Sequence, residues 1–146
     1  MYKMWFVGLL ALSGWAQAQM SPVGLWQSID DGNGQAKAEI SIAQRPDGTL
    51  AGRVERSLVP HTTTDVNCVL CTDDRKGKPK IGLEIIRGGQ QSDGKTVWEG
   101  GKILDPENGK NYSLRLTPIE GGKKLEVRGY IGAPLLGRTQ TWIRVQ

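Results

Sequence analysis

A chain of 146 residues, 38% hydrophobic and 23% charged, has the size of one folded domain around one core. Its net charge of +4 comes from basic residues spread among acids, with no clustered basic patch or aromatic-rich binding motif, which argues against nucleic acid as a partner. Two cysteines and one histidine fall short of the donor set that a structural zinc site requires.

The first segment reads as an export signal. Lys3 supplies a positive start, Trp5 to Ala16 an uncharged apolar run, and Ala16-Gln17-Ala18 a small-x-small cleavage site. The apolar run is shorter than the ~20 residues a bilayer-spanning helix needs. No cysteine follows it to carry a lipid. The expectation is therefore a signal peptide over residues 1–18, cleavage after Ala18, a periplasmic or secreted protein, and a single domain over 19–146 with no membrane span. The one phenylalanine, Phe6, lies in the leader. The core beyond it must be built from Val, Ile and Leu with Trp26, Trp98, Trp142, Tyr112 and Tyr130.

From there the chain is punctuated by turn chemistry: Asp31-Gly32-Asn33-Gly34, Pro46-Asp47-Gly48, Asp93-Gly94, Asn108-Gly109 and Gly121-Gly122. Alternating segments flank each turn. They predict strands over Leu25–Ile29, Ala36–Ala43, Leu50–Leu58, Ile81–Arg87, Thr96–Leu104, Asn111–Pro118, Lys124–Ile131 and Arg138–Val145. In the fourth, Gly82-Leu83-Glu84-Ile85-Ile86 also suits a short helix, but its β-branched isoleucines favour a strand. From Trp98 to Arg144 the pattern is an unbroken antiparallel meander. Eight short strands joined mostly by tight turns remove their exposed edges by closing, so the expected fold is all-β, an eight-stranded antiparallel up-and-down barrel, with a β-sandwich as the alternative.

The one long connection, Val59 to Lys80, holds both cysteines and is the expected functional loop. In an exported protein Cys68-x-x-Cys71 favours a local disulfide over a redox pair or half of a zinc site, since no helical period follows to lower a thiol pKa. His61, near Asp65, reads as a solvated loop residue because no activated nucleophile motif accompanies it. The acidic pairs Asp30-Asp31 and Asp105/Glu107 read as turn residues, since no calcium-loop glutamate follows the first. Leu135 and Leu136 are read as a plug at one end of the barrel, with an exposed apolar tip as the rival. Along Lys124–Ile131, Leu125, Val127 and Ile131 share one face and Glu126, Arg128 and Tyr130 the other; Gly129 and Gly132 leave open a bulge that would exchange the faces.

Gly24-Leu25-Trp26, Cys68-x-x-Cys71, the run Gly100 to Lys110, Arg128-Gly129-Tyr130-Ile131-Gly132 and Gly137 to Trp142 together resemble the bacterial exported family called domain of unknown function 2147. The resemblance covers nearly the whole chain after the leader. It implies a lipocalin-like barrel with no agreed activity. More distantly, Gly-x-Trp in the first strand and an arginine in the last are similar to lipocalins proper, which implies that Arg144 packs over Trp26 at the closed end. The short first connection, Asp30 to Gln35, departs from the long lid of that family.

The functional expectation is a non-enzymatic, cofactor-free barrel binding a small apolar or amphipathic molecule. Trp98, Tyr112, Arg128, Tyr130 and Trp142 are the candidate lining residues. An envelope interaction protein with a filled barrel is the rival, and a thiol–disulfide protein using Cys68 and Cys71 a third reading.

Overall fold

The computed structural model describes residues 20–60 and 66–146; the expected leader, its cleavage site, His61 and Asp65 lie outside the described residues. Nine strands follow in chain order: β1 (Gly24–Ile29), β2 (Ala36–Gln44), β3 (Leu50–Ser57), β4 (Glu84–Arg87), β5 (Gln90–Gln91), β6 (Trp98–Asp105), β7 (Lys110–Ile119), β8 (Lys124–Tyr130) and β9 (Arg138–Arg144). They pair antiparallel in the order β4-β3-β2-β1-β9-β8-β7-β6-β5, and β4 pairs again with β6. β4 lies against Ile103 and Lys102, and β5 continues along the same strand against Glu99 and Trp98. The two pieces occupy one strand position. The result is a closed eight-stranded antiparallel barrel, not a sandwich.

The kink between the two pieces is Gly88-Gly89, both at positive φ (83° and 97°). There the backbone passes so near β6 that a Cβ on Gly101 would sit 2.7 Å from the Gly88 carbonyl carbon. Glycines on both strands permit this approach, and with it closure.

Turn residues stand where their chemistry places them. Asp30 Oδ1 accepts from the Gly32 and Asn33 amides at 2.7 and 3.2 Å, Asp47 Oδ1 from Thr49 at 2.9 Å, and Asp105 Oδ1 from Glu107 at 2.9 Å. These carboxylates shape turns. The fourth predicted strand is shorter than its sequence suggests. Residues 80–83 form a turn whose Gly82 N–H donates to the Val54 carbonyl, and pairing begins only at Glu84.

Alternation sends one face inward. Trp26 stands opposite Ile40, Ile40 opposite Val54, Trp98 opposite Leu116, Leu116 opposite Val127 and Leu125 opposite Trp142, and all are buried. Full burial of each such side chain contributes roughly 1.5–3 kcal/mol. β7 and β8 pair without a register shift from Ile119/Lys124 to Ser113/Tyr130. No bulge exchanges the faces of β8.

Residues 66–80 of the long connection cover the outer wall. Leu104 faces outward, one residue from the inward Ile103, yet is 2% exposed. Buried Cys68 and Cys71 are joined by a disulfide, and Cys68 Sγ lies 3.6 Å from the Pro106 carbonyl oxygen in the β6–β7 turn. Buried Arg75 donates through Nη1 to the Glu84 carbonyl and through Nη2 to Asn111 Oδ1, both at 2.9 Å, and pairs with Asp73. Arg87 grips Asp74 with both Nη atoms at 2.8 Å. Two arginine forks thus fasten the loop to β4 and β7.

Candidate functional site

Up-and-down topology puts the connections β1–β2, β3–β4, β6–β7 and β8–β9 at one end of the barrel. The remaining turns share the other end with residues 20–23 and 145–146. The two ends are built differently.

At the second end Arg144 Cζ lies 4.2 Å from the centroid of the Trp26 ring. Arg144 donates from Nε to the Gly122 carbonyl at 2.5 Å, from Nη1 to Val23 at 2.9 Å and from Nη2 to Ser21 at 2.6 Å. Trp26 Nε1 donates to the Pro22 carbonyl at 2.8 Å. The guanidinium ties the incoming chain, the β7–β8 turn and the last strand across the fully buried indole. Its burial pushes its pKa below the ordinary arginine value. Gly24, at φ 146°, is small for a visible reason: a Cβ there would collide with the Arg144 guanidinium and the Gln146 carbonyl oxygen. This end is closed.

Towards the first end the inward positions carry smaller or half-exposed groups. Ser28 faces Ala38 across β1–β2, and Gly129 on β8 lies beside half-buried Tyr112 and Ile103. A Cβ on Gly129 would stand in ordinary van der Waals contact with Tyr112, 3.4 Å from its Cβ, and Ser28, Ala38, Ile103, Tyr112 and Gly129 are all half-buried, so solvent reaches this part of the lumen among the described residues. The Tyr112 hydroxyl accepts from Asn108 Nδ2 at 3.0 Å. Arg138 pairs with Asp31 across the rim.

The five candidate lining residues therefore separate into three groups. Trp98 and Trp142 point inward but belong to the packed core, 7% and 2% exposed, with Trp142 Nε1 donating to Gln140 Oε1 at 3.2 Å. Tyr112 alone sits on the open part of the lumen wall. Arg128 and Tyr130 lie on the outer face, because they alternate with inward Val127 and Gly129. Arg128 donates there to the Pro134 carbonyl at 2.8 Å and to Thr139 Oγ1 at 2.7 Å. Leu135 and Leu136 do not plug the barrel. They sit on a 3-10 turn, 91% and 78% exposed, beside Ile131 at 63%.

A concavity of about 460 Å³ lies on the outer face of β6 to β9 under the β5–β6 hairpin. Its wall includes Glu99, Arg115, Glu126, Arg128 and Thr139. Sequence reading set Glu126 and Arg128 on a common face but left Arg115 unremarked. The missing step was the register: once the β7–β8 turn pairs Ile119 with Lys124, Arg115 falls opposite Arg128.

A closed eight-stranded antiparallel barrel with an arginine stacked on the first-strand tryptophan defines a lipocalin-like protein. Residues 24–144 match the family described as "Uncharacterized protein conserved in bacteria (DUF2147)", and the chain belongs to that family. The fold is also that of a Helicobacter pylori protein, HP1028, described as belonging to the lipocalin family. The two superpose with a TM-score of 0.71 over 85% of this chain and 82% of the other, at 17% identity. No curated protein matches the sequence.

Proposed function

We propose that this is an exported, non-enzymatic binding protein that takes a small apolar or amphipathic molecule into the open half of its barrel. The observation that carries the reading is the contrast within the lumen. Tryptophans fill the closed half, while Ser28, Ala38, Ile103, Tyr112 and Gly129, inward at the other end, are all half-buried among the described residues. A wall of small residues with one phenol and one hydroxyl suits a short chain with a polar end. The lipocalin-like fold supports binding by analogy. Export rests on the charged, apolar and small-x-small order of residues 1–18.

Native mass spectrometry of the protein purified from a bacterial envelope tests both parts. We expect a mature chain starting at Gln19 and a retained small molecule, or saturable uptake of a short fatty acid. Gly129→Leu should abolish uptake by filling the cup while leaving the fold intact. A chain that retains Met1 would refute export. Undiminished uptake by the leucine variant would refute the lumen as the site.

The exposed cluster of Ile131, Leu135 and Leu136 favours a second reading, an envelope interaction protein that docks through this tip. Thiol–disulfide exchange gains no such support, since both sulfurs are bonded and their residues buried.

A further inference from the structure

The outer groove holds an arrangement that the lumen reading does not use. Across four strands one row of outward side chains runs Glu99, Arg115, Arg128, Thr139, each directly opposite the next. Directly opposite residues have Cβ atoms about 4.5–5.5 Å apart, and like charges in that relation are destabilising. Each arginine is engaged on its far side only. Arg115 Nε donates to Glu99 Oε1 at 2.6 Å, while Arg128 turns to Thr139 and the Pro134 carbonyl. Among the described residues, no acid bonds to both guanidinium groups, and the Arg115 Nη atoms and Arg128 Nη2 make no protein hydrogen bond.

The hairpin that overhangs the row adds Lys95 to the same wall. Glu126, two residues from Arg128 on the same strand and face, has no ion-pair partner among the described residues. Two residues along a strand span about 7 Å. Among the described residues the groove therefore presents three free guanidinium nitrogens, two of Arg115 and one of Arg128, and the unpaired carboxylate of Glu126 a short distance away.

We propose that this groove is a binding site for a phosphoryl group carried by a small molecule with an ammonium group, the phosphoryl bridging Arg115 and Arg128 and the ammonium meeting Glu126. Arg115 offers both Nη atoms and Arg128 its Nη2, three donor nitrogens on neighbouring strands, which the three oxygens of a phosphoryl group can engage and the two of a carboxylate cannot. The anion removes the arginine–arginine repulsion, so binding also stiffens the β7–β8 pair. The site is separate from the lumen and stands whether or not the lumen takes a ligand.

Titrations of the purified protein followed by NMR, at constant ionic strength, with inorganic phosphate, acetate and phosphoethanolamine test it. We expect saturable binding that shifts the Arg115 and Arg128 side-chain Nε–H signals, with phosphoethanolamine tightest and acetate weakest. Arg115→Gln should weaken phosphate binding at least tenfold. Arg128→Gln should do the same, but it also frees the Pro134 turn, so Arg115→Gln is the cleaner variant. Glu126→Gln should tighten inorganic phosphate and erase the preference for phosphoethanolamine. Linear, unsaturable shifts, acetate binding as tightly as phosphate, unchanged affinity in Arg115→Gln, or a weaker phosphate complex in Glu126→Gln would each overturn the proposal.

Discussion

Arg144→Ala is the sharpest test of the closed end. The substitution removes a guanidinium 4.2 Å above the Trp26 ring and strips donors from the carbonyls of Ser21, Val23 and Gly122. The stacking contributes roughly 0.5–2 kcal/mol. Each hydrogen bond from a charged donor is worth about 1.5–3 kcal/mol at most. Because this end borders solvent, water re-satisfies part of what is lost, and a total near 3 kcal/mol is expected, or about 10 °C in Tm for a domain of this size. Arg144→Lys should recover only part of that, since an ammonium has no planar surface to lay on the indole. Urea unfolding followed by tryptophan fluorescence and circular dichroism measures each variant. In a double-mutant cycle, Arg144→Ala and Trp26→Leu should couple by at least ~0.5 kcal/mol. Additive effects would show that the contact contributes nothing, and the account of Gly24 as the glycine that makes room for this guanidinium would fall with it.

Replacing Cys68 and Cys71 together by serine should cost at most about 1–3 kcal/mol, because so short a loop restrains little unfolded-chain entropy and Arg75 and Arg87 still hold the segment; a double mutant that circular dichroism finds unfolded before any denaturant is added would show that the disulfide, not the arginines, fastens the loop. Asp73, Asp74 and Glu84 are held below their ordinary carboxyl values, the first two chiefly by hydrogen bonds from Arg75 and Arg87, and Glu84 by Arg87 and Arg45 against an opposing cost of burial. Depressed folded-state values mean that this stability is complete above the unfolded pKa values, near 4, and drains away as pH falls through the folded ones. Unfolding free energy should therefore be flat from about pH 5 upward in this respect and decline below about pH 4. In Asp73→Asn the decline should be shallower, and an unchanged acid profile would refute the role given to the Arg75 pair. Leu135→Asp with Leu136→Asp should change stability by less than ~0.5 kcal/mol, as expected of exposed positions; a large loss of Tm would mean that the tip packs on the barrel after all.

Alternation with a period of two and the Asp, Asn, Pro and Gly residues of the turns are local properties, and they located the strands from β1 to β9 to within a few residues, β5 excepted. Both act through neighbours a few positions away, which is why they are legible without a fold. The pairing of Trp26 with Arg144 was legible in another way, by likeness to a family whose first and last strands meet. Strand count and tight turns predicted a barrel but left a sandwich open, and tertiary structure decided for closure. It runs through Gly88-Gly89 and the two-residue strand Gln90–Gln91, too short to show any period. It also decided that Leu104, outward by alternation, is buried, because a loop distant in sequence lies on it. The same holds for Leu135 and Leu136: apolarity says that a side chain gains by burial, and only the turn's position says whether anything is there to bury it. Arg115 and Arg128 face one another for a reason of the same kind. Alternation states which residues share a face of one strand, whereas which residue stands opposite depends on the register between strands.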